Sequence, residues 1–317
     1  MQVGYALSSE EHAAADLVSF AARAEGVGFD ILAISDHFHP WTDRQGQSPM
    51  VWPVLGGIAQ VTERVRVGTR VTCPIMRLHP AIVAQASGTV ATMMPDRFFL
   101  GLGTGEYLNE HVFGQTWPRP TVRREMLEEA VELIRKLWTG RLVSHRKRHY
   151  TVESARLYSI PEEPPPIAVA MGGPKSARLA GRIGDAVIGV SPDRQLLETA
   201  KGEAEDSLPS YGELHVCWAP TEGEARRTAH EWWPVAAFKG PLGSDLALPS
   251  HFEDVAQMVN EEDVAEAVTC GPDPERHIAA IKEFDEAGFD AVWVHQIGTD
   301  QVGFFEFYEK EILPLFR

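Results

Sequence analysis

The sequence predicts an α/β protein in which all 317 residues form a single (β/α)8 barrel domain. Eight short apolar runs recur along the chain, and such runs are typical of parallel strands buried on both faces. Helical patterns separate most of them, and right-handed crossovers between eight parallel strands close a sheet into a barrel. A doubly wound sheet is the alternative arrangement of the same elements.

The predicted strands are 3–7, 31–35, 65–71, 98–102, 167–171, 186–190, 214–219 and 291–295. Helices are predicted at 13–26, 80–93, 123–138 and 174–184; proline opens the second and fourth, and glycine closes the first. Two regions, 139–166 and 232–272, are longer than ordinary barrel loops, and the first reads as a short hairpin before a proline-rich stretch. Insertions of this size usually form lids or interfaces.

The composition is globular, with 44% hydrophobic and 23% charged residues. The net charge of −16 with seven lysines disfavours a nucleic acid or an anionic membrane as partner. Cys73, Cys217 and Cys270 lie far apart and form no C-x-x-C pair, which favours a reducing compartment. No secretory leader pattern and no apolar run of about 18 residues are seen, so we expect a cytoplasmic protein.

The second strand runs directly into an acid, two imidazoles and an indole, in the segment Ser35-Asp36-His37-Phe38-His39-Pro40-Trp41. In a barrel the loops after all strands converge on one face, so we expect these side chains to meet others that follow strands. Such residues are Asp36, His37, Trp41, Val71, Thr72, Gly103, Thr104, Gly105, Glu106, Asn109, Gly172, Gly173, Ser191, His295 and Gln296. Together they suit a small-molecule redox or acid/base site.

Two glycine-rich loops follow strands. Residues 101–106 do not match the G-x-G-x-x-G fingerprint of dinucleotide-binding proteins, because Glu106 stands where the third glycine is required. Glycine backbone without side chains would instead let a flat ligand approach the loop. A plain tight turn is the alternative interpretation of the same residues. Residues 171–176 lead into a helix, where backbone N–H groups and the helix dipole favour an anion and Lys175 adds positive charge. An ordinary Gly-Pro helix start is the plain alternative.

A metal-dependent hydrolase is the rival from a different class, because His37 and His39 match an H-x-H pair. His215 is expected at the start of the seventh strand, on the wrong face, which leaves only His295 to assist. A packed His39 beside Pro40 explains the second histidine as well. We therefore predict no metal.

The motifs as a set resemble luciferase-like barrel enzymes that use the deazaflavin coenzyme F420, particularly the glucose-6-phosphate and secondary alcohol dehydrogenases. The resemblance runs nearly end to end. It is carried by residues 35–41, 68–77, 80–85 and 103–110 and by Gly172-Gly173-Pro174.

The resemblance implies that His37 and Glu106 are the acid/base pair and that Trp41 closes over the substrate. It places a non-prolyl cis peptide at Arg70-Val71. The implied cofactor-binding residues are Asp36, Arg70, Val71, Cys73, Thr104, Gly105, Asn109, Gly172, Gly173, Lys175 and Ser176. The implied substrate-side residues are Glu10, His39, Trp41, Ser191 and His295. A homodimer is also implied.

The implied reaction moves a hydride between a carbinol carbon and F420, and a base must remove the hydroxyl proton. An imidazole suits this role near neutral pH.

In our alignment Asp193 and Ala267 replace the lysine and arginine that hold the sugar phosphate, and Lys239 aligns insecurely with a third phosphate-binding position. We therefore expect an uncharged secondary alcohol, or its carbonyl partner, rather than a sugar phosphate. A flavin mononucleotide monooxygenase of the same fold is a further alternative, and a non-catalytic binding protein is the least favoured.

Overall fold

The computed structural model describes residues 1–238, 240 and 242–316. Its strands are β1 (Gln2–Leu7), β2 (Ile31–Ile34), β3 (Arg66–Thr69), β4 (Phe98–Leu102), β5 (Val143–Arg146), β6 (Thr151–Ala155), β7 (Ile167–Met171), β8 (Ala186–Gly189), β9 (Ser210–Cys217), β10 (Thr269–Cys270) and β11 (Ala291–Gln296). Eight parallel strands pair in the cyclic order β1, β2, β3, β4, β7, β8, β9 and β11. The predicted (β/α)8 barrel is confirmed.

The helices are α1 (Ala14–Val27), α2 (Val51–Val61), α3 (Pro80–Met93), α4 (Tyr107–Glu110), α5 (Pro120–Trp138), α6 (Pro174–Ile183), α7 (Arg194–Lys201), α8 (Glu222–Trp232), α9 (Leu242–Asp245), α10 (Pro249–Ala256), α11 (Glu261–Ala267), α12 (Pro274–Ala287) and α13 (Gln301–Phe307). Local chemistry sets their ends. Proline occupies the first position of α3 and α6, and Gly28 closes α1 with a φ of 102°.

The seventh barrel strand was predicted too late in the chain. It was expected at 214–219 but spans Ser210–Cys217, so His215 lies near the carboxyl end of β9 and the expectation that it begins the strand was wrong. Glu213 and His215 alternate with Gly212 and Leu214 along the strand and point inward. Because these inward residues are polar, the strand lacks the apolar run by which a buried strand is predicted.

The barrel interior is filled unevenly. Phe99, Tyr211 and Trp293 form an aromatic layer, with the rings of Phe99 and Trp293 stacked at 5.8 Å between centroids. Small side chains such as Ala33 and Ala168 occupy other inward positions of the same cluster. This layer fills the barrel below the loops, and the carboxyl ends of the strands lie above it, where barrel enzymes place their sites.

The two long insertions differ. The first contains the predicted hairpin, β5 paired with β6. The second carries α9, α10 and α11, and its Phe252 is fully buried. Among the described residues, no helix has the length and apolar character needed to cross a bilayer.

Candidate active site

His37 lies between two carboxylates at the mouth of the barrel. β2 ends at Ile34, and the following turn places Nε2 of His37 3.4 Å from Oε1 of Glu10 and 3.4 Å from Oε2 of Glu106. Nδ1 of His37 is 3.1 Å from the carbonyl oxygen of His39. Because a carbonyl only accepts, Nδ1 donates, and Nε2 is the acceptor of the neutral ring. The structure thus brings the predicted pair together and adds Glu10 to it.

Glu10 is buried and held as an anion. Its Oε2 accepts hydrogen bonds from the hydroxyls of Ser35 at 2.7 Å and Ser8 at 3.0 Å. Burial alone would raise the pKa of Glu10, but the combined effect of His37, Ser35 and Arg70 outweighs it and holds the pKa below its ordinary value. A negative charge therefore stabilises the protonated form of the imidazole.

Glu106 contacts the same nitrogen but holds its proton more strongly. Burial raises the pKa of Glu106 to about 7 against the opposing effect of His37, and the charge of Glu10 adds to the increase. Asn109 donates to Oε2 of Glu106 at 3.3 Å, and its own side-chain oxygen accepts from the backbone N–H of Phe38 at 2.8 Å. The site thus pairs a permanent carboxylate with one that titrates near neutral pH.

Asp36 is anchored beneath this group. Thr72 donates to one carboxylate oxygen at 2.7 Å, and Arg77 donates to the other at 2.8 Å. Glu110 in turn accepts from the backbone N–H of Arg77 at 2.8 Å. Sequence reasoning missed Arg77, although a lone cation directly after the apolar residues Pro74, Ile75 and Met76 was the available signal.

Trp41 covers His37. The two ring centroids are 4.9 Å apart, and the indole packs edge-on against Phe252 of α10 at 5.2 Å. Gln45 accepts from the backbone N–H of Trp41 at 2.8 Å and donates to the carbonyl of Trp232 at 3.0 Å. The loop that carries the imidazole is therefore tied to the second insertion, and Gln45 is a residue that sequence reasoning did not identify.

The His39 ring packs against the segment 108–111. Its Nδ1 is 2.9 Å from the carbonyl oxygen of Leu108, and its ring stacks on His111 with 5.6 Å between centroids. The two histidines of the H-x-H pair therefore make separate contacts.

The peptide bond between Arg70 and Val71 is cis, as the resemblance implied. The Arg70 side chain is only 5% exposed, and its Nη1 is 2.9 Å from Oε1 of Glu213. The same oxygen is 3.2 Å from Nε2 of His215. His295, predicted at the substrate, is fully buried, and its Nε2 is 2.6 Å from Oε2 of Glu11.

Glu213, His215 and His295 each bring one possible metal-ligand atom within 4.8 Å of the others. Arg70 already contacts Oε1 of Glu213, and Glu11 contacts Nε2 of His295. This group does not include His37 or His39, so the motif that suggested a hydrolase does not assemble with it.

The loop after β7 forms an open cradle. The backbone N–H groups of Gly172 and Gly173 each lie 3.1 Å from the hydroxyl oxygen of Ser176, and a Cβ built on either glycine meets no atom within 4 Å. A cavity of about 500 Å³ adjoins these glycines and is also lined by Ser191 and Asp193. Lys175 is exposed and does not line this cavity.

The loop after β4 brings bare backbone close to the site. A Cβ on Gly103 would lie 2.6 Å from a methyl group of Val71, and Gly105 has a φ of 75°. Thr104 lies between them and is half-buried. Burial raises the pKa of Cys73 well above its ordinary value, so its thiol stays protonated at neutral pH.

The profile of the luciferase-like monooxygenase family matches residues 1–291. The chain belongs to this family. Among its curated relatives, the F420-dependent glucose-6-phosphate dehydrogenases of Tsukamurella paurometabola and Beutenbergia cavernae are 34% and 35% identical, over 100% of this chain and 98% of each relative.

Solved structures of other proteins superpose on this chain and agree with the fold. An F420-dependent secondary alcohol dehydrogenase in complex with an F420-acetone adduct superposes with a TM-score of 0.91 at 31% identity, over 100% of this chain and 99% of that one. The F420-dependent tetrahydromethanopterin reductase of Methanopyrus kandleri superposes with a TM-score of 0.79 over both complete chains. Its 19% identity supports the fold alone.

Proposed function

We propose that this chain is a coenzyme F420-dependent oxidoreductase that moves a hydride between the carbon of an uncharged secondary alcohol and the deazaflavin. The observation that carries the proposal is the position of His37 Nε2, 3.4 Å from both Glu10 and Glu106, in a chain that matches F420-dependent dehydrogenases along its whole length. An imidazole between carboxylates can take up a hydroxyl proton as the C–H bond breaks.

The residues present fit the cofactor. Gly172 and Gly173 leave space beside a helix N-terminus and a large cavity, which suits a phosphate group of the cofactor tail. Gly103 lets the side chain of Val71 pack closely against the loop after β4, which holds the Arg70-Val71 bond beside the site. Asp36 keeps acceptor capacity for the ring, because a carboxylate oxygen can accept more than one hydrogen bond. When bound, F420 supplies hydride acceptance or donation and the protein supplies the rest.

In the alcohol-oxidising direction, Nε2 of His37 receives the hydroxyl proton and the substrate becomes a carbonyl compound. The anionic Glu10 stabilises the resulting imidazolium, and Glu106 can pass the proton onward because its pKa is about 7. Because Trp41 covers His37, we assign it the exclusion of water from the reacting atoms, and its indole N–H can donate to the substrate oxygen. Carbonyl reduction uses the same groups in reverse.

A sugar-phosphate dehydrogenase is the second candidate, because the full-length curated relatives include glucose-6-phosphate dehydrogenases. Asp193 weakens it. This residue lines the cavity beside Gly173, and its carboxylate caps α7 by accepting from Leu196 at 2.9 Å. In our alignment Asp193 stands where a lysine holds the sugar phosphate, so the cation that this candidate requires is missing from that position. Lys239, the remaining candidate cation of the alignment, lies outside the described residues.

We further propose that residues 1–317 form one domain, that the protein is a homodimer and that it acts in the cytoplasm. The resemblance to the F420-dependent dehydrogenases supports the dimer, and the absence of a cysteine pair is consistent with a reducing compartment. Light scattering during size-exclusion chromatography tests the oligomeric state, since a monomer mass would refute the dimer.

The decisive experiment mixes the purified protein with oxidised F420 and a panel of secondary alcohols, together with glucose 6-phosphate. We expect the visible absorbance of F420 to disappear with uncharged alcohols. Bleaching with glucose 6-phosphate alone would favour the second candidate. Retention of flavin mononucleotide on purification, or activity that requires bound zinc, would support a monooxygenase or a hydrolase instead.

A further inference from the structure

A charged bridge crosses the inside of the barrel beneath the catalytic histidine. Arg70 follows β3 and Glu213 lies on β9, and these strands are four positions apart in either direction around the eight-stranded barrel. Their side chains meet at 2.9 Å, so the pair spans the interior. A second bridge lies deeper in the barrel, where Arg66 donates to the hydroxyl of Tyr211 at 2.9 Å. We call Arg70, Glu213 and His215 the polar floor.

The polar floor is reachable from the mouth. The side chains of Glu213 and His215 are 12% and 22% exposed, comparable with the 11% of His37. The negative charge of Glu213 contributes to the raised pKa of Glu106, and Arg70 contributes to the lowered pKa of Glu10. The polar floor and the reacting groups therefore belong to one compartment.

The polar floor is under-satisfied. Among the described residues, Nε of Arg70 and Nδ1 of the adjacent His295 are buried without a hydrogen-bond partner. Trp41 and Phe252 form an apolar roof above the compartment. A small apolar alcohol enclosed under that roof would displace water from the polar floor without forming hydrogen bonds to it. Such desolvation of charged groups is unfavourable in free energy.

The charge balance argues against an anion. Arg70 and Glu213 neutralise each other, while Glu10 adds a nearby negative charge. Neutral hydroxyl groups fit better, because each can donate to a carboxylate and accept from an imidazole or a guanidinium.

We propose that Glu213 and His215, ordered by Arg70, bind additional hydroxyl groups of the substrate, which is therefore a polyhydroxy compound without a phosphate, such as a free sugar or a sugar alcohol. This inference rests on the proposed function and narrows its substrate class. The reaction remains the oxidation of one carbinol: its hydride goes to F420 and its hydroxyl proton to His37.

The test compares kcat/KM for D-glucose and sorbitol with kcat/KM for 2-propanol and cyclohexanol, and glucose 6-phosphate completes the panel. We expect the wild type to prefer the polyhydroxy compounds. His215→Leu and Glu213→Gln should each reduce the ratio of polyhydroxy to simple alcohol by about tenfold or more, as the loss of one hydrogen bond to a charged group would do. His251→Leu, which removes an exposed histidine of α10, is the matched control and should keep the wild-type ratio.

Two further readouts separate the possible failures. F420 binding, followed by fluorescence quenching, should be retained in both variants, and circular dichroism should show that they fold. Calorimetry should show that sorbitol binds to the wild-type protein in the presence of reduced F420. Under the same conditions sorbitol should bind to the variants more weakly. If His215→Leu does not fold, Glu213→Gln carries the test.

Wild-type preference for 2-propanol or cyclohexanol, preference for glucose 6-phosphate over glucose, or an unchanged ratio in folded variants would overturn the inference while the F420-dependent function stands. Variants that lose F420 binding with an unchanged substrate ratio would also overturn it, because the polar floor would then serve the cofactor. Absence of F420 binding and of turnover in the wild type would instead refute the proposed function.

Discussion

Glu106 in the barrel mouth and Glu132 beside the hairpin have pKa values that are shifted in opposite directions. On the hairpin side, Glu132 of α5 contacts Lys136 at 2.6 Å and Lys147 at 2.5 Å, and these two hydrogen bonds lower its pKa to about 2. In the mouth, Glu10 and Glu106 share one imidazole, and the pKa of Glu106 rises to about 7. The paired surface charge of Glu132 remains ionised, whereas desolvation and the nearby charge of Glu10 let Glu106 exchange a proton at neutral pH.

The largest expected effect comes from removing the imidazole in the mouth. His37→Ala should lower kcat/KM by about 10²-fold or more, because the general base is lost, while F420 binding remains. The matched change on the hairpin is His149→Ala, whose ring nitrogen lies 3.6 Å from Glu125 and which should leave turnover near the wild-type value. Steady-state kinetics and fluorescence titration measure both. Equal activity of His37→Ala and wild type would remove His37 from the mechanism.

Glu106→Gln tests whether the mouth titrates. Alcohol oxidation should accelerate as the pH rises through about 7, because the carboxyl of Glu106 loses its proton there and can then accept one from His37. The amide cannot titrate, so the variant should lose this inflection in its profile of kcat/KM against pH. An unaltered inflection in the variant would assign the titration to another group.

Glu10→Gln tests whether the charge of Glu10 raises the pKa of Glu106. The negative charge of Glu10 contributes to the raised pKa of Glu106, so its removal should lower that pKa and move the inflection to lower pH. The same profile of kcat/KM against pH measures the displacement. Movement toward higher pH would contradict the proposed electrostatic coupling.

The smallest effect should come from the hairpin surface. Glu132→Gln should reduce the free energy of unfolding by no more than about 1 kcal/mol, as expected for exposed ion pairs. The contribution of Glu132 is present above its ordinary carboxyl pKa and is lost as the pH falls toward 2, since its folded pKa is lowered. Denaturant titrations at neutral and acidic pH should therefore differ between variant and wild type only at neutral pH.

Sequence patterns predicted the elements whose chemistry is local. The strand ending in Ile34 is an unbroken apolar run, and Asp36 and His37 follow it directly, so both the strand and the site could be predicted. β9 was misplaced because Glu213 and His215 point into the barrel, where the usual pattern places apolar residues.

Contacts between distant parts of the chain could not be predicted. Gln45 reaches the carbonyl of Trp232, which is 187 residues further along, and no periodicity reports such a contact. The polar floor is similar, because Arg70 and Glu213 are 143 residues apart and meet only when the barrel closes. The proposed acid/base pair came from family resemblance, but Glu10's position beside His37 required the fold.

The hydrogen bonds of Gln45 couple the position of the loop that carries His37 to that of the second insertion. The same short loop carries the imidazole, the indole above it and the tether to the second insertion, so displacement of that insertion would remove the support of Trp41 as it opens a path for the substrate. If the insertion closes over a bound substrate, the packing of Trp41 between His37 and Phe252 would shield the proposed base from bulk water during hydride transfer.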